Sequence, residues 1–297
     1  MSHKYIRAYE YESNVNPPLQ PVPISQKSAY ECEYGMTPID LHEYYNVQCP
    51  ATSPNLLASF LRLAPQSIYT DFSAQKATSH FFYVLQGSCE ADTGNSLYTL
   101  SKGDIFITPF FDTLAIENLS STEDTILYYI NDSPLLHYLG SIPSRPTFQA
   151  AIYSHEFIQT QLKELANPLN NRKGILLSNV DTEKIGVNTI TPVLWSLYNE
   201  LPPHTHQRPH RHNSVALDLC ITSEDPENIY TLVGERLDEE GNIVNPTRVP
   251  WNSSEMFITP PWLWHSHHNE GDTYAYILPI QDAGLLLYQR ILGIELR

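Results

Sequence analysis

One stretch of this chain occurs twice, and a duplication constrains the fold more than composition does. The segment "GDIFITPFFDTLAIENLSSTEDTILYYINDSPLL", from Gly103, aligns without a gap on "SEMFITPPWLWHSHHNEGDTYAYILPIQDAGLL", from Ser254. The identities include Phe106/Phe257, Ile107/Ile258, Thr108/Thr259, Pro109/Pro260 and Asn118/Asn269. Upstream, "HFFYVLQG" corresponds to "ALDLCITS", which sets His80 opposite Ala216. Each copy is a series of short runs rich in aromatic and β-branched residues, bounded by Gly, Pro, Asp, Asn or Ser. Two copies of such a unit predict an all-β chain of two similar barrels. The second copy carries a longer excursion, Ser223–Trp251, with the acidic turn "DEEGN".

The rest of the chain is placed around these units. Residues 1–50 carry Pro17, Pro18, Pro21 and Pro23 and no sustained period, which predicts an extended arm lying on a domain. The first barrel is assigned to 51–140, a helical linker to 141–185 and the second barrel to 186–297. Within the linker, Ser154 followed by Phe157, Ile158, Leu162 and Leu165 predicts a helix of three turns over 154–167. Prolines outnumber glycines, 23 to 12, which suits many short strands better than a helical bundle.

Charge narrows the partners. Seventeen basic residues against 33 acidic ones leave a formal charge of −16, which repels phosphate backbones and anionic lipid. Neither nucleic acid nor a membrane is expected, and no apolar run approaches the roughly 18 residues a spanning helix needs. The polar start, without an apolar stretch or cleavage site, together with four dispersed cysteines, leads to an expected cytoplasmic location.

The histidines carry the chemistry. The second copy reads "PPHTHQRPHRHNSVALDLCI" and, further on, "FITPPWLWHSHHNEGD". On a strand, residues i and i+2 share a face, so His210 and His212 project into a barrel while Arg211 faces away. His265, on a neighbouring strand, completes a set of three neutral nitrogen donors. Such a set leaves positions open for water, oxygen or a chelating substrate, and imidazole accepts Fe, Mn, Ni, Cu or Zn. His204 and His206 form a competing pair on the approach to this strand. The first copy supplies a control: Ala74, Lys76 and Leu114 stand where His210, His212 and His265 stand in the second. That copy is expected to hold no metal, with His80 a hydrogen-bonded structural residue.

The order HxH, hairpin, "FITPxxxxH" and a following Asn resembles the cupin superfamily, and the duplication resembles bicupins. Within these, "HRHNSVAL" (His210–Leu217), "YTLVGER" (Tyr230–Arg236) and "FITPPWLWHSHHNEGD" (Phe257–Asp272) resemble the gentisate 1,2-dioxygenase family with its salicylate and 1-hydroxy-2-naphthoate relatives. The resemblance implies a ferrous ion on His210, His212 and His265, binding of an ortho-hydroxy aromatic acid, O2 as co-substrate, ring opening and a homo-oligomer. Trp262 and Trp264 would wall the substrate pocket, and His267 would act beside the metal as an acid or base. The sequence departs from the family at "ALDL", where relatives carry "ALRF" and an arginine holds the substrate carboxylate; here that position is Asp218. Ser266 likewise replaces the aspartate of "WHDH". Gentisate itself is therefore disfavoured. An inward Asp218 favours a substrate with an amine or hydroxyl, whereas an outward one takes no part. A non-oxidative metal enzyme and a non-catalytic small-molecule-binding bicupin remain as alternatives.

Overall fold

The computed structural model describes residues 3–73, 76–165 and 171–297. Its core is a pair of six-stranded antiparallel sheets with one and the same strand order. In the first copy the order is Ala151–Tyr153, Ile105–Pro109, Ser79–Gln86, Thr125–Asn131, Leu57–Leu63, Gly35–Pro38. In the second it is Gln26–Ser28, Glu255–Thr259, Ala216–Thr222, Ala275–Gln281, Trp195–Leu201, Lys173–Leu177. Registers agree as well. His80 pairs with Thr108 and Ala216 with Thr259, as the alignment requires. His80 also pairs with Asn131 and Ala216 with Gln281, so the expected gapless match holds only through Asn118/Asn269, and one residue is missing from the second copy before its last shared strand. The two repeated asparagines do the same work. Asn118 Nδ2 donates to the carbonyl of Leu63 and Asn269 Nδ2 to that of Leu201, each closing the end of an equivalent strand.

Each of these sheets faces a second one of shorter strands, four in the first copy and six in the second, across its own apolar interior. In the first copy Leu61, Phe82, Leu100, Phe106 and Tyr129 fill this space; in the second Cys220, Val233, Trp251 and Phe257 do so. The opposite faces of the first pair of sheets share a third core, in which Phe60, Phe81 and Tyr128 meet Leu217, Ile258 and Leu278. This follows from strand alternation: in Ala216–Thr222, Leu217 and Leu219 face the other copy while Ala216, Asp218 and Cys220 face the barrel interior. Each fully buried Leu or Phe contributes about 1.5–3 kcal/mol relative to exposure, so the shared core couples the barrels strongly.

The arm and the linker are part of this arrangement. Gln26–Ser28 edges the sheet of the second copy, and Gly35–Pro38 that of the first. Ala151–Tyr153 edges the sheet of the first copy, and Lys173–Leu177 that of the second. The duplication thus extends into both segments, each lending a strand to the other copy before joining its own. The helix in the linker runs His155–Glu164, with Ser154 Oγ accepting from the Phe157 N–H at 3.2 Å; the last expected positions, 166 and 167, lie outside the described residues. Among the described residues no helix is long and apolar enough to cross a membrane.

Candidate metal centre

The shorter-stranded sheet of the second copy contains the strands Ile229–Gly234, Trp264–Asn269, His210–His212 and Ile294–Leu296. His210 pairs directly with His265, and the alternation that turns these rings inward sends Arg211 and Trp264 outward. One donor atom from each of His210, His212 and His265 lies within 4.8 Å of the others, the single such group of three or more potential ligands among the described residues. Their rings converge at the mouth of a cavity of about 190 Å³, also lined by Arg172, Asn199, Asp218 and His267.

Hydrogen bonds decide which nitrogen each ring offers. His212 Nδ1–H donates to the Ser214 carbonyl at 2.9 Å and His265 Nδ1–H to the Leu263 carbonyl at 3.1 Å. Both rings therefore present a free Nε2 lone pair, the arrangement that orients a metal-binding imidazole. Burial keeps all three neutral: His212 is pushed down to about 4, and His210 and His265 lie well below the ordinary histidine value. His210 differs. Arg172 Nη1–H donates to its Nδ1 at 3.0 Å. A guanidinium only donates, so this bond uses the Nδ1 lone pair and leaves the proton on Nε2. A cation on His210 and the bond to Arg172 thus exclude one another. The donor set, three neutral nitrogens with two already oriented by backbone carbonyls, suits a divalent transition metal.

Arg172 was not singled out by the sequence. It lies in a stretch assigned to the linker, and only the pairing of Lys173–Leu177 with Trp195–Leu201 brings it to the cavity. Among the described residues its Nε is buried without a partner, and its bonds go to His210 and the Arg208 carbonyl. The adjacent pair Arg172-Lys173, in a chain poor in basic residues, is the one sequence signal that points to it.

Asp218 faces the cavity. It is 3% exposed, accepts a short hydrogen bond from the Thr259 hydroxyl, and is pushed up to about 7 by burial. His267 also faces inward, at the end of a relay. Trp251 Nε1–H donates to Thr231 Oγ1, whose single hydroxyl proton then serves His267 Nδ1, both at 2.8 Å. In this relay His267 carries its proton on Nε2. Burial holds it at about 3, so near neutral pH it is a hydrogen-bond donor rather than a charged acid.

Other candidates lie elsewhere. Trp262 is 46% exposed in a left-handed turn, and Trp264 packs on the outer face beneath Arg211 and Arg297. Neither lines the cavity, because the one precedes the strand and the other has the outward parity. The tryptophan near the site is Trp251, contributed by the excursion and T-shaped to His267 with centroids 5.4 Å apart. His204 pairs with Asp272 at the surface, and His206 lies on the outer face.

The first copy lines the equivalent place with other side chains. Phe82 stands at the register of Asp218 and stacks on Tyr129 with centroids 4.4 Å apart. Leu114 is buried and Lys76 exposed; Ala74 lies outside the described residues. His80 bonds the Tyr129 hydroxyl at 2.7 Å and is held at about 3 by burial. A cavity of about 370 Å³ remains beside Phe72, Lys76, His80 and Leu114, so the first copy differs in its lining rather than in lacking space.

The fold is that of a bicupin, two barrels of one plan in a single chain. No family model matches the chain. It is 30% identical over 126 residues to a gentisate 1,2-dioxygenase of Haloferax, 42% of this chain and 28% of that protein. It is 40% identical over 52 residues to a 5-aminosalicylate 1,2-dioxygenase of Comamonas, 18% of this chain and 13% of that protein. The matches thus span less than a third of these relatives' own length. A salicylate 1,2-dioxygenase from Pseudaminobacter salicylatoxidans superposes with a TM-score of 0.74 at 12% identity, over 99% of this chain and 95% of that one. Procruciferin, an 11S globulin of Brassica napus, superposes at 0.58 with 9% identity, over 93% and 87%. The bicupins this protein is similar to in sequence are those of the gentisate 1,2-dioxygenase group.

Proposed function

We propose that this chain is a non-haem metal dioxygenase that holds Fe(II) on His210, His212 and His265 and opens the ring of a small aromatic or other chelating acid, gentisate itself excepted. The observation that carries the reading is a neutral, buried three-histidine set opening on a cavity that also contains a guanidinium with no carboxylate partner. Fe(II) bound there supplies the redox-active Lewis acid that ring opening by O2 requires. The remaining work belongs to side chains. Arg172, displaced from His210 by a cation, is free to hold a substrate carboxylate with a charge-assisted bond. His267 donates its Nε2–H to an oxygen of the ligand. Asp218 disfavours a second anionic group and accepts from an amine or hydroxyl. A cavity of about 190 Å³ has room for a small aromatic ligand.

The test is metal analysis on protein purified without oxygen, followed by O2 uptake with salicylate, gentisate and 5-aminosalicylate. Stoichiometric iron with uptake on salicylate or 5-aminosalicylate but not on gentisate supports the reading. Iron without uptake points to a non-oxidative metal enzyme. Metal-free, O2-inert protein with its histidines intact overturns the enzyme and leaves a small-molecule-binding bicupin.

A further inference from the structure

Gln281, at the end of the strand Ala275–Gln281, is 4% exposed and lines the inner cavity without touching a ring of the triad. We infer that its Nε2–H donates to a hydroxyl of the ligand at the end of the cavity away from Arg172, so that the substrate is an acid carrying a hydroxyl, rather than an amine, opposite its carboxylate. The inference rests on the reading of this cavity as the substrate site.

Hydrogen-bond direction fixes how the amide points. His212 Nδ1 carries its own proton and gives it to the Ser214 carbonyl, so the Ser214 hydroxyl, 3.1 Å from the same nitrogen, finds no lone pair there. It donates instead to Gln281 Oε1 at 2.7 Å. The amide oxygen is thereby occupied, and the Nε2 hydrogens are left to the cavity, without a partner among the described residues. A buried donor is costly unless a ligand oxygen meets it. The first copy differs: Asn131 stands at the same register, and its Oδ1 turns back to accept the Ser133 N–H at 2.9 Å.

Register also places this donor relative to its neighbours. Gln281 pairs with Trp195, whereas Lys173, next to Arg172, pairs with Glu200. The two anchors lie about 17 Å apart along the strand Trp195–Leu201. Arg172 and Gln281 therefore reach the cavity from opposite ends, and a carboxylate held by the arginine leaves a different atom for the amide. Asp218, opposite Pro279, is the diagonal neighbour of Gln281 on the same face, close enough for both to serve one group. A hydroxyl accepts from Gln281 and donates to Asp218. An arylamine donates to Asp218 but leaves the amide hydrogens unmet, and a second carboxylate faces Asp218 as a like charge.

The experiment is calorimetry on Zn(II)-loaded protein, which binds without turnover, using salicylate, 2,4-dihydroxybenzoate and 4-aminosalicylate. The unchanged protein should bind 2,4-dihydroxybenzoate about tenfold more tightly than 4-aminosalicylate. Gln281→Leu should lose that preference and keep its affinity for salicylate, whose ring bears no group at that end. Gln281→Glu has the same shape and still accepts from Ser214, and it should turn the preference toward the amine. No preference in the unchanged protein, a preference that survives both substitutions, or a loss in Gln281→Leu as large for salicylate as for 2,4-dihydroxybenzoate overturns the inference: Gln281 is then part of the wall and nothing more. Absence of zinc-dependent salicylate binding to the unchanged protein overturns the substrate reading itself, and this inference with it.

Discussion

The substitution Asp218→Asn in metal-free protein should change how stability depends on pH, and the sign is fixed by burial. The Asp218 carboxyl is raised from 3.8 to about 7 in the folded chain, so between these values the native state binds a proton that the unfolded state has released. Stability of the unchanged protein therefore falls as pH rises from about 4 to about 7, by about 1.4 kcal/mol per pH unit for this one group. Summed over about three units the loss is of order 4 kcal/mol, complete above the folded value. The introduced amide has no proton to lose. It keeps the acceptor for the Thr259 hydroxyl but leaves its own Nδ2 hydrogens to find partners, an offset that is the same at every pH. The four buried inner histidines act in the opposite sense. Their lowered values cost stability as pH falls below about 6.5. They are common to both proteins and cancel in the difference. Urea unfolding of the pair between pH 4.5 and 8 in the presence of a chelator measures that difference directly. Two parallel profiles would show that Asp218 is not held protonated by the cavity, and the reasoning fails.

Three further outcomes are expected. His212→Ala removes the inner cation, counted by elemental analysis, whereas Leu114→Ala leaves metal content unchanged and costs about 2–5 kcal/mol of unfolding free energy from the cavity it opens. Arg172→Met weakens binding of a salicylate probe to anaerobic, metal-loaded protein by about 1.5–3 kcal/mol, roughly 10- to 150-fold, read by tryptophan fluorescence. Thr231→Val breaks the relay, leaving the buried Trp251 N–H unpaired, and costs about 1–3 kcal/mol by urea unfolding; it also lets the His267 proton move to Nδ1, a shift visible in nitrogen-15 spectra of the ring.

Much of the centre was legible because strand alternation is a strict rule. His210 and His212 two apart, and His265 in register through the repeat, were enough to bring three rings together. The same parity placed Asp218 inside with Ala216 and Cys220, although the sequence alone left its facing open. Alternation also explains why Trp262 and Trp264 do not wall the cavity: nearness to His265 along the chain says nothing about which face a side chain takes. The excursion hid Trp251, since nothing in its text says that it folds back on Thr231. Arg172 was illegible for a different reason. Its position depends on an edge strand, formed by long-range pairing rather than by any local pattern, in a segment with weak periodicity. The arm strands escaped for the same cause.

The crossed edges have a consequence for the history of such a molecule. Once each half completes the other's rim, neither half can be discarded. Cutting the chain after position 140 would strip Ala151–Tyr153 from one product and Gln26–Ser28 from the other, baring Ile105–Pro109 and Glu255–Thr259 as unprotected, aggregation-prone margins. Each half persists as joinery for the other, and selection on either one is enough to preserve both.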